Sequence, residues 1–403
     1  MGRMDPNKIR EDFPLLKKRK VIYFDNACMS LKSQQVIDAV NAYYTEYSGC
    51  AGRSLHKIGK ETEEHFEGAR AKIAKFIGAD AKEVVFSKNT TESINLVARC
   101  LDFSKRSKVV TSNMEHHSAL LPFQMLAKQK EISLDFVYAD KEGITNIEGW
   151  KEKIGRQTRL VVVHHTTNAV GTRAPLKEIV KIAHDAGALV LVDGAQGVPH
   201  APVNFRKEGY DFLAFSGHKM LGPTGTGCLV ARSSLLEEMP PFIVGGETIE
   251  KVTLDSVVFA KPPHKFEGGL QHYAGFIGLG AAADYLNKIG MQDVERHEKE
   301  LAKEIITEIA GISKVQLLGP SDSSKRAAIA TFNIQGMAAH QVAIMLDSLA
   351  GIAVRSGVFC AEPAMAWMGV PQGAVRASLY VYNTKEEISV FSETLGKIAK
   401  TAR

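Results

Sequence analysis

Long apolar runs, paired cysteines and dense blocks of one charge are all missing from this chain. No apolar run reaches the ~20 residues of a membrane helix and no signal peptide opens the sequence, so neither a span nor export is expected. The five cysteines, Cys28, Cys50, Cys100, Cys228 and Cys360, are odd in number, scattered and without a CxxC pair. That argues against a disulfide framework or a zinc site and for a reducing cytoplasm. Most of them are expected to be buried small hydrophobes. Basic residues exceed acidic ones only by 50 to 45, a formal charge of +5. The one basic cluster, Leu16-Lys17-Lys18-Arg19-Lys20, is short and reads as a solvated edge. A nucleic-acid partner is therefore not expected, whereas small anions suit the charge. No internal repeat or low-complexity segment is visible.

What is present describes a globular enzyme-sized chain of 403 residues, 45% hydrophobic and 24% charged. That length suits two domains. Apolar spacing predicts helices over 33–47, 61–77, 94–101, 117–130 and 176–186. Short apolar runs predict strands over 83–86, 108–111, 134–138, 160–164, 189–192, 212–215 and 228–231. The alternation implies an α/β fold with a mostly parallel seven-stranded sheet and ligands bound beyond the carboxyl ends of its strands. Near residue 240 a Pro-Pro and Gly-rich stretch intervenes, with a small hairpin over 252–260. A helical region over 275–312 follows, then strands over 327–334 and 375–381 and helices over 340–349 and 385–402. The expectation is a large domain over 20–270 and a smaller α+β domain over 271–403, with 1–19 packing nearby.

The chemistry-bearing residues cluster at predicted strand ends. Ser216-Gly217-His218-Lys219 follows one strand and leads into Gly222-Pro223. A lysine fixed by a tight glycine-flanked turn can form a Schiff base with an aldehyde cofactor. About 25 residues upstream, the apolar run 189–192 ends in Asp193, which can pair with a pyridinium nitrogen; the Asp–Lys combination is what pyridoxal phosphate requires. Thr90 and Thr91 precede a helix, where hydroxyls and free N–H groups favour phosphate, although Asn89 to Ser93 also reads as a plain N-cap with Glu92 in a capping box. His116 can stack on a flat ring. The His116-His117 pair raises zinc, but no third ligand of suitable spacing accompanies it. Asn168 can donate to a ring oxygen or simply form a turn. His218 can contact phosphate or be a core histidine. Cys360 stands in a loop after Arg355 and Gly357, either as an activated thiol or as a buried structural cysteine. Arg376 offers a fork for a substrate carboxylate or a surface salt bridge.

Taken together, Asp25-Asn26-Ala27, Asn89-Thr90-Thr91-Glu92, Glu115-His116-His117, Asn168, Asp193-Gly194-Ala195-Gln196, Ser216-Gly217-His218-Lys219 and Gly222-Pro223-Thr224-Gly225 resemble the class V, fold-type I pyridoxal-phosphate enzymes. Arg355-Ser356-Gly357-x-x-Cys360-Ala361 and Arg376-Ala377-Ser378-x-x-x-Tyr382-Asn383-Thr384 look like the cysteine desulfurase and selenocysteine lyase branch, in its type II, sulfur-assimilation subgroup. The resemblance runs from about 25 to 384. It implies pyridoxal 5'-phosphate held by Lys219, with Asp193 on the ring nitrogen, His116 stacked, and Gln196 and Asn168 at the ring hydroxyl. It implies Thr90, Thr91, Ser216 and His218 at the phosphate, and Arg376, with Arg355 and Asn168, at the substrate carboxylate. Cys360 would take sulfur from L-cysteine (or selenium from selenocysteine), leaving L-alanine and a persulfide for an acceptor protein in Fe–S assembly or thiolation. A homodimer is implied, with the 268–272 loop reaching the neighbour's site. The chain departs from the family pattern at Leu270, where a threonine often contacts the partner's phosphate; this leaves Gln271 or His272, or no contact. It departs again at Cys28, which replaces a small residue, and at the apolar pair Val358-Phe359 before the cysteine.

The reading is a cysteine desulfurase. Another class V chemistry, selenocysteine lyase, aminotransferase or epimerase, would survive loss of Cys360, and a non-catalytic scaffold would lack Lys219.

Overall fold

The computed structural model describes residues 4–52 and 54–402. Seven strands form its main sheet: β1 (Val84–Ser87), β2 (Lys108–Ser112), β3 (Ser133–Val137), β4 (Thr158–His164), β5 (Leu189–Asp193), β6 (Phe212–Ser216) and β7 (Gly227–Ala231). Their order is β1-β7-β6-β5-β4-β2-β3, and only β7 runs against its neighbours. These are the expected strands, shifted by a residue or two at their ends. Both faces are covered, which is why the strands read as unbroken apolar runs. Alternate residues still divide between two cores. Val161, Val163, Val190 and Val192 face the helices Lys57–Ile77 and Leu176–Asp185. Leu160, Val162 and Leu191 face the helices Thr90–Cys100 and His117–Lys128.

The chain after residue 240 begins with an antiparallel hairpin, β8 (Ile249–Val252) and β9 (Val257–Phe259). Its first strand starts earlier than the sequence indicated. The expected helical region is two helices, Tyr273–Ile289 and Met291–Ala310, separated by Gly290. At Gly290 φ is +92°, a backbone conformation that favours glycine. The first of these helices shares the core of the main sheet through Tyr273, Phe276, Leu279 and Leu286. The second sheet is antiparallel: β10 (Val315–Leu318), β11 (Ile329–Ile334), β12 (Arg355–Gly357) and β13 (Ala374–Ser378), in the order β10-β11-β13-β12. Near the N-terminus, Ile22–Tyr23 pairs with Ile352–Ala353. A small apolar cluster that includes Met114, Val170, Leu318, Phe359, Met365 and Ala374 joins residues near both sheets. No helix among the described residues is long and apolar enough to cross a membrane.

Candidate active site

The carboxyl ends of β4, β5 and β6, together with the turn after β1, surround a cavity of about 300 Å³. Thr90, Thr91, His116, Asn168, Asp193, Gln196, Ser216, His218, Lys219, Arg355, Cys360 and Arg376 all line it. These sequence candidates therefore meet in one space, whereas His117, Gln271 and His272 do not line it.

The floor is the end of the main sheet. Asp193 closes β5 and is buried. One carboxylate oxygen accepts from the Ala195 N–H at 2.9 Å. Burial raises this carboxyl, while the Ala195 N–H and Lys219 oppose the rise. Beside it in register stands His164 at the end of β4. Its Nδ1 lies 2.8 Å from Glu115 Oε1, which also accepts from Ser112 Oγ at 2.6 Å. Burial opposes a charge on His164, but Glu115 overrides it and its pKa is raised. This His164–Glu115 pair behind Asp193 was not singled out as a pair from the sequence: Glu115 stood in the Glu115-His116-His117 motif, and the signal for His164 was a polar residue closing a buried strand.

Lys219 follows β6 in a short 3-10 turn, Gly217–Lys219. Burial lowers its pKa, and Arg376 adds to the effect against the pull of Asp193. His116 caps the helix His117–Lys128, its Nδ1 accepting from the Ser118 N–H at 3.1 Å. Burial, with Lys219 nearby, pushes it down to about 3, so the ring is neutral at ordinary pH. His117 turns away and pairs with Glu362 at 2.5 Å.

One end of the cavity gathers hydroxyls at a helix N-terminus. Asn89 is the N-cap of the helix Thr90–Cys100, its side chain accepting from the Glu92 N–H at 3.0 Å. Glu92 in turn accepts from the Lys88 N–H at 2.5 Å. The capping motif and this donor-rich end of the cavity are thus one structure. The Thr90 N–H donates to Ser216 Oγ at 2.9 Å, and Thr91 Oγ1 lies 2.6 Å from Ser118 Oγ. The Thr91 N–H has no partner among the described residues and lies at the positive end of the helix dipole. Gly227 permits this approach: a Cβ there would meet Asn89 Cα at 2.6 Å. Burial pushes His218, at the same end, down to about 4.

The opposite wall comes from the second sheet. Arg376 is 3% exposed, and its Nη1 donates to the Asn168 carbonyl at 2.8 Å. Its guanidinium lies 4.7 Å from the Phe359 ring centre, and its Nε has no partner among the described residues. Burial lowers its pKa to about 10. Arg355 is different. It is half-exposed and held by Asp25, with Nη2 donating at 2.6 Å and Nε at 3.3 Å. Asp25 and Cys28, which also line or approach this wall, were not among the candidate site residues. Their signal was the Asp25-Asn26-Ala27 motif. Asn26 in that motif is structural: its Nδ2 donates to the Ser378 carbonyl at 2.7 Å, and Tyr382 donates to its oxygen.

Cys360 is exposed, and it does not sit in a free loop. Strand β12 leads into it, and Phe359 and Cys360 both have positive φ, +57° and +53°. Such a conformation costs about 1–2 kcal/mol per residue with a Cβ. It is held by Asn168 Nδ2 donating to the Phe359 carbonyl at 2.6 Å and by the His117 N–H donating to the Cys360 carbonyl at 2.9 Å. The apolar Phe359 is explained by its place in the cluster joining the two sheets. On the far side, Leu270 is exposed, and Gln271 Nε2 is turned back onto the Gly268 and Gly269 carbonyls at 3.3 and 3.2 Å.

Residues 22–391 match the model of the family described as aminotransferase class-V. A probable cysteine desulfurase of Halalkalibacterium halodurans is 41% identical over 98% of each chain. Among solved structures, the apo cysteine desulfurase of Thermococcus onnurineus NA1 superposes with a TM-score of 0.95 at 40% identity, covering 99% of both chains. The cysteine desulfurase CsdA of Escherichia coli, in an S-sulfonic acid form, superposes with a TM-score of 0.92 at 30% identity over the full length of both.

Proposed function

The chain belongs to the class-V aminotransferase family, in the branch of the cysteine desulfurases, and on that premise we propose that it converts L-cysteine to L-alanine and a persulfide on Cys360. The observation that carries this reading is an exposed thiol pinned, through its loop carbonyls, at the rim of a cavity that also holds Lys219 and Asp193.

Pyridoxal 5'-phosphate fits the cavity. Asp193 keeps one carboxylate oxygen for the ring nitrogen. The neutral His116 imidazole offers a face for the ring. Gln196 Oε1 and Asn168 Oδ1 are buried polar atoms without partners among the described residues, as expected where a polar ligand belongs. Thr90, Thr91, Ser216 and His218 form the cradle for a phosphate, and Lys219 is the group to hold the aldehyde. When bound, the cofactor supplies an electron sink for carbanion chemistry on an amino acid.

The chain's own groups then divide the work. Arg376, buried, with an Nε that has no partner among the described residues and only a 3.7 Å approach to Asp25, binds the substrate carboxylate; Arg355, more exposed and held by Asp25 at 2.6 Å, orients the wall instead. Lys219, with its lowered pKa, carries the proton at the substrate α carbon. Cys360 Sγ attacks the substrate sulfur, forming an S–S bond as the C–S bond breaks. The electron pair of the C–S bond remains with carbon, the β carbon takes up a proton in place of the sulfur, and Lys219 gives the proton back to the α carbon, which completes L-alanine. The exposed position of Cys360 suits handing the sulfur to a thiol of an acceptor protein. A homodimer is part of the same reading.

The test is mass spectrometry of the protein after L-cysteine, with alanine quantified in parallel. A gain of about 32 Da on the Cys360 peptide, with alanine, is expected. Cys360→Ala is expected to stop both sulfur release and labelling while the cofactor's visible absorbance remains. Amino-acid turnover that is indifferent to Cys360→Ala would replace the reading with another class V chemistry.

A further inference from the structure

Cys28 lies just after the Asp25-Asn26-Ala27 turn and lines the same cavity as Cys360 and Lys219. Its Sγ accepts a hydrogen bond from Arg355 Nη2 at 2.9 Å. The same guanidinium is fixed by Asp25 at 2.6 Å. Arg355 opens β12, the strand that runs into the Cys360 loop. One side chain therefore ties the two thiol-bearing segments together. Cys28, Cys360, Lys219 and Arg376 all line this one cavity. Arg376, nine-tenths and more buried with an unpartnered Nε, lines the space between these walls. The other thiols are elsewhere: Cys100 and Cys228 are buried in the cores, and Cys50 lies against Tyr273.

We propose that Cys28 is a second, internal sulfur acceptor, which takes the outer sulfur of the Cys360 persulfide while Arg355 holds its Sγ at the cavity wall. This rests on the desulfurase reading. Deprotonated Cys28 Sγ attacks the outer sulfur and forms a new S–S bond. The bond from that sulfur to Cys360 Sγ breaks, its electron pair stays on Cys360 Sγ, and Cys360 regains the proton that Cys28 lost. The transferred sulfur keeps its oxidation state, so no outside oxidant or reductant takes part. Cys360 is then free for a second L-cysteine while the first sulfur remains in the cavity. Without an acceptor, each protomer stores two sulfurs instead of one.

The experiment is a time course of the holoenzyme with L-cysteine, quenched by alkylation before unfolding and read by peptide mass spectrometry. The mark of about 32 Da is expected on the Cys360 peptide first and on the Cys28 peptide afterwards. Cys360→Ser is expected to lower Cys28 labelling by about tenfold or more. In Cys28→Ala the mark is expected on Cys360 alone, with the early alanine burst roughly halved per protomer. A labelled Cys360 beside a clean Cys28 overturns the proposal, as does Cys28 labelling that is indifferent to Cys360→Ser. A parallel arm loads the protein with inorganic polysulfide instead of L-cysteine. Movement of sulfur from Cys360 to Cys28 in that arm, with none from L-cysteine and no alanine, upholds the relay and overturns the desulfurase reading. Loading of Cys360 by polysulfide without movement overturns the relay alone.

Discussion

Arg376 keeps a cation in a wall that is nearly free of water, with one donor unspent. A lysine there would retain the charge and lose the fork. Arg376→Lys is expected to raise KM for L-cysteine by about tenfold or more with a smaller fall in kcat, read from initial rates of alanine formation. His116 gives a pH expectation. Its pKa is pushed down to about 3 by burial and by Lys219, so it stays neutral at every pH above that value. Nitrogen-15 NMR of histidine-labelled protein should show no His116 titration between about pH 5 and 8; a transition in that window would contradict the neutral ring. At this scale the sequence announced residue types well and their partners poorly. Lys219 and Asp193 stand out because strand ends and glycines flank them, and Arg376 because a cation opens an apolar predicted strand. That Arg355 is held by Asp25, and that Glu115 supports His164, depends on side chains 330 and 49 positions apart meeting, which no local pattern encodes.

Whole elements were legible where burial alternates and less so where polar groups set the ends. The helix Thr90–Cys100 begins four residues before its apolar spacing suggests, because Asn89 and Glu92 fix its start. Asn89→Ala is expected to cost about 1 kcal/mol in urea unfolding and to loosen cofactor retention at the same time, since the cap and the anion cradle share these atoms. The Cys360 segment, expected as a loop, is half strand because Arg355–Gly357 pairs with Ala374–Arg376. Glu267 sits in a Gly-rich stretch from which its partners could not be read. It is buried and paired with Arg70 at 2.7 and 2.9 Å, and it accepts from the Phe86 N–H at 2.7 Å. Burial alone would raise this carboxyl, but Arg70, His264 and the Phe86 N–H bring it down to about 2. Its contribution to stability is full above the ordinary glutamate pKa of about 4.3 and is lost as pH falls towards 2. Glu267→Gln should destabilise the protein by about 3–5 kcal/mol at neutral pH and flatten this acid limb, measured by denaturant unfolding at a series of pH values.

On the scale of the whole molecule, the α/β architecture followed from strand–helix alternation. Which core each C-terminal helix joins did not, since an apolar stripe does not name its partner. The segment after residue 240 leaves Val244, Val252, Leu254, Val258 and Leu270 exposed. Apolar groups so close along the chain suit an interface between two copies. On the homodimer proposed above, Leu254→Lys with Val258→Lys is expected to shift the protein to monomer in light scattering; a dimer left unchanged by the pair would move the interface elsewhere, and a wild-type monomer would remove the homodimer from the reading.

The strained pair Phe359–Cys360 has one more consequence. Its flanking strands β12 and β13 belong to the second sheet, whereas the donors that clasp its carbonyls, Asn168 and His117, follow strands of the main sheet. The thiol is carried by one half of the molecule and latched by the other. Loss of either clasp would free the backbone energy held in the two left-handed residues, so the position of this thiol depends on contacts from both sheets at once.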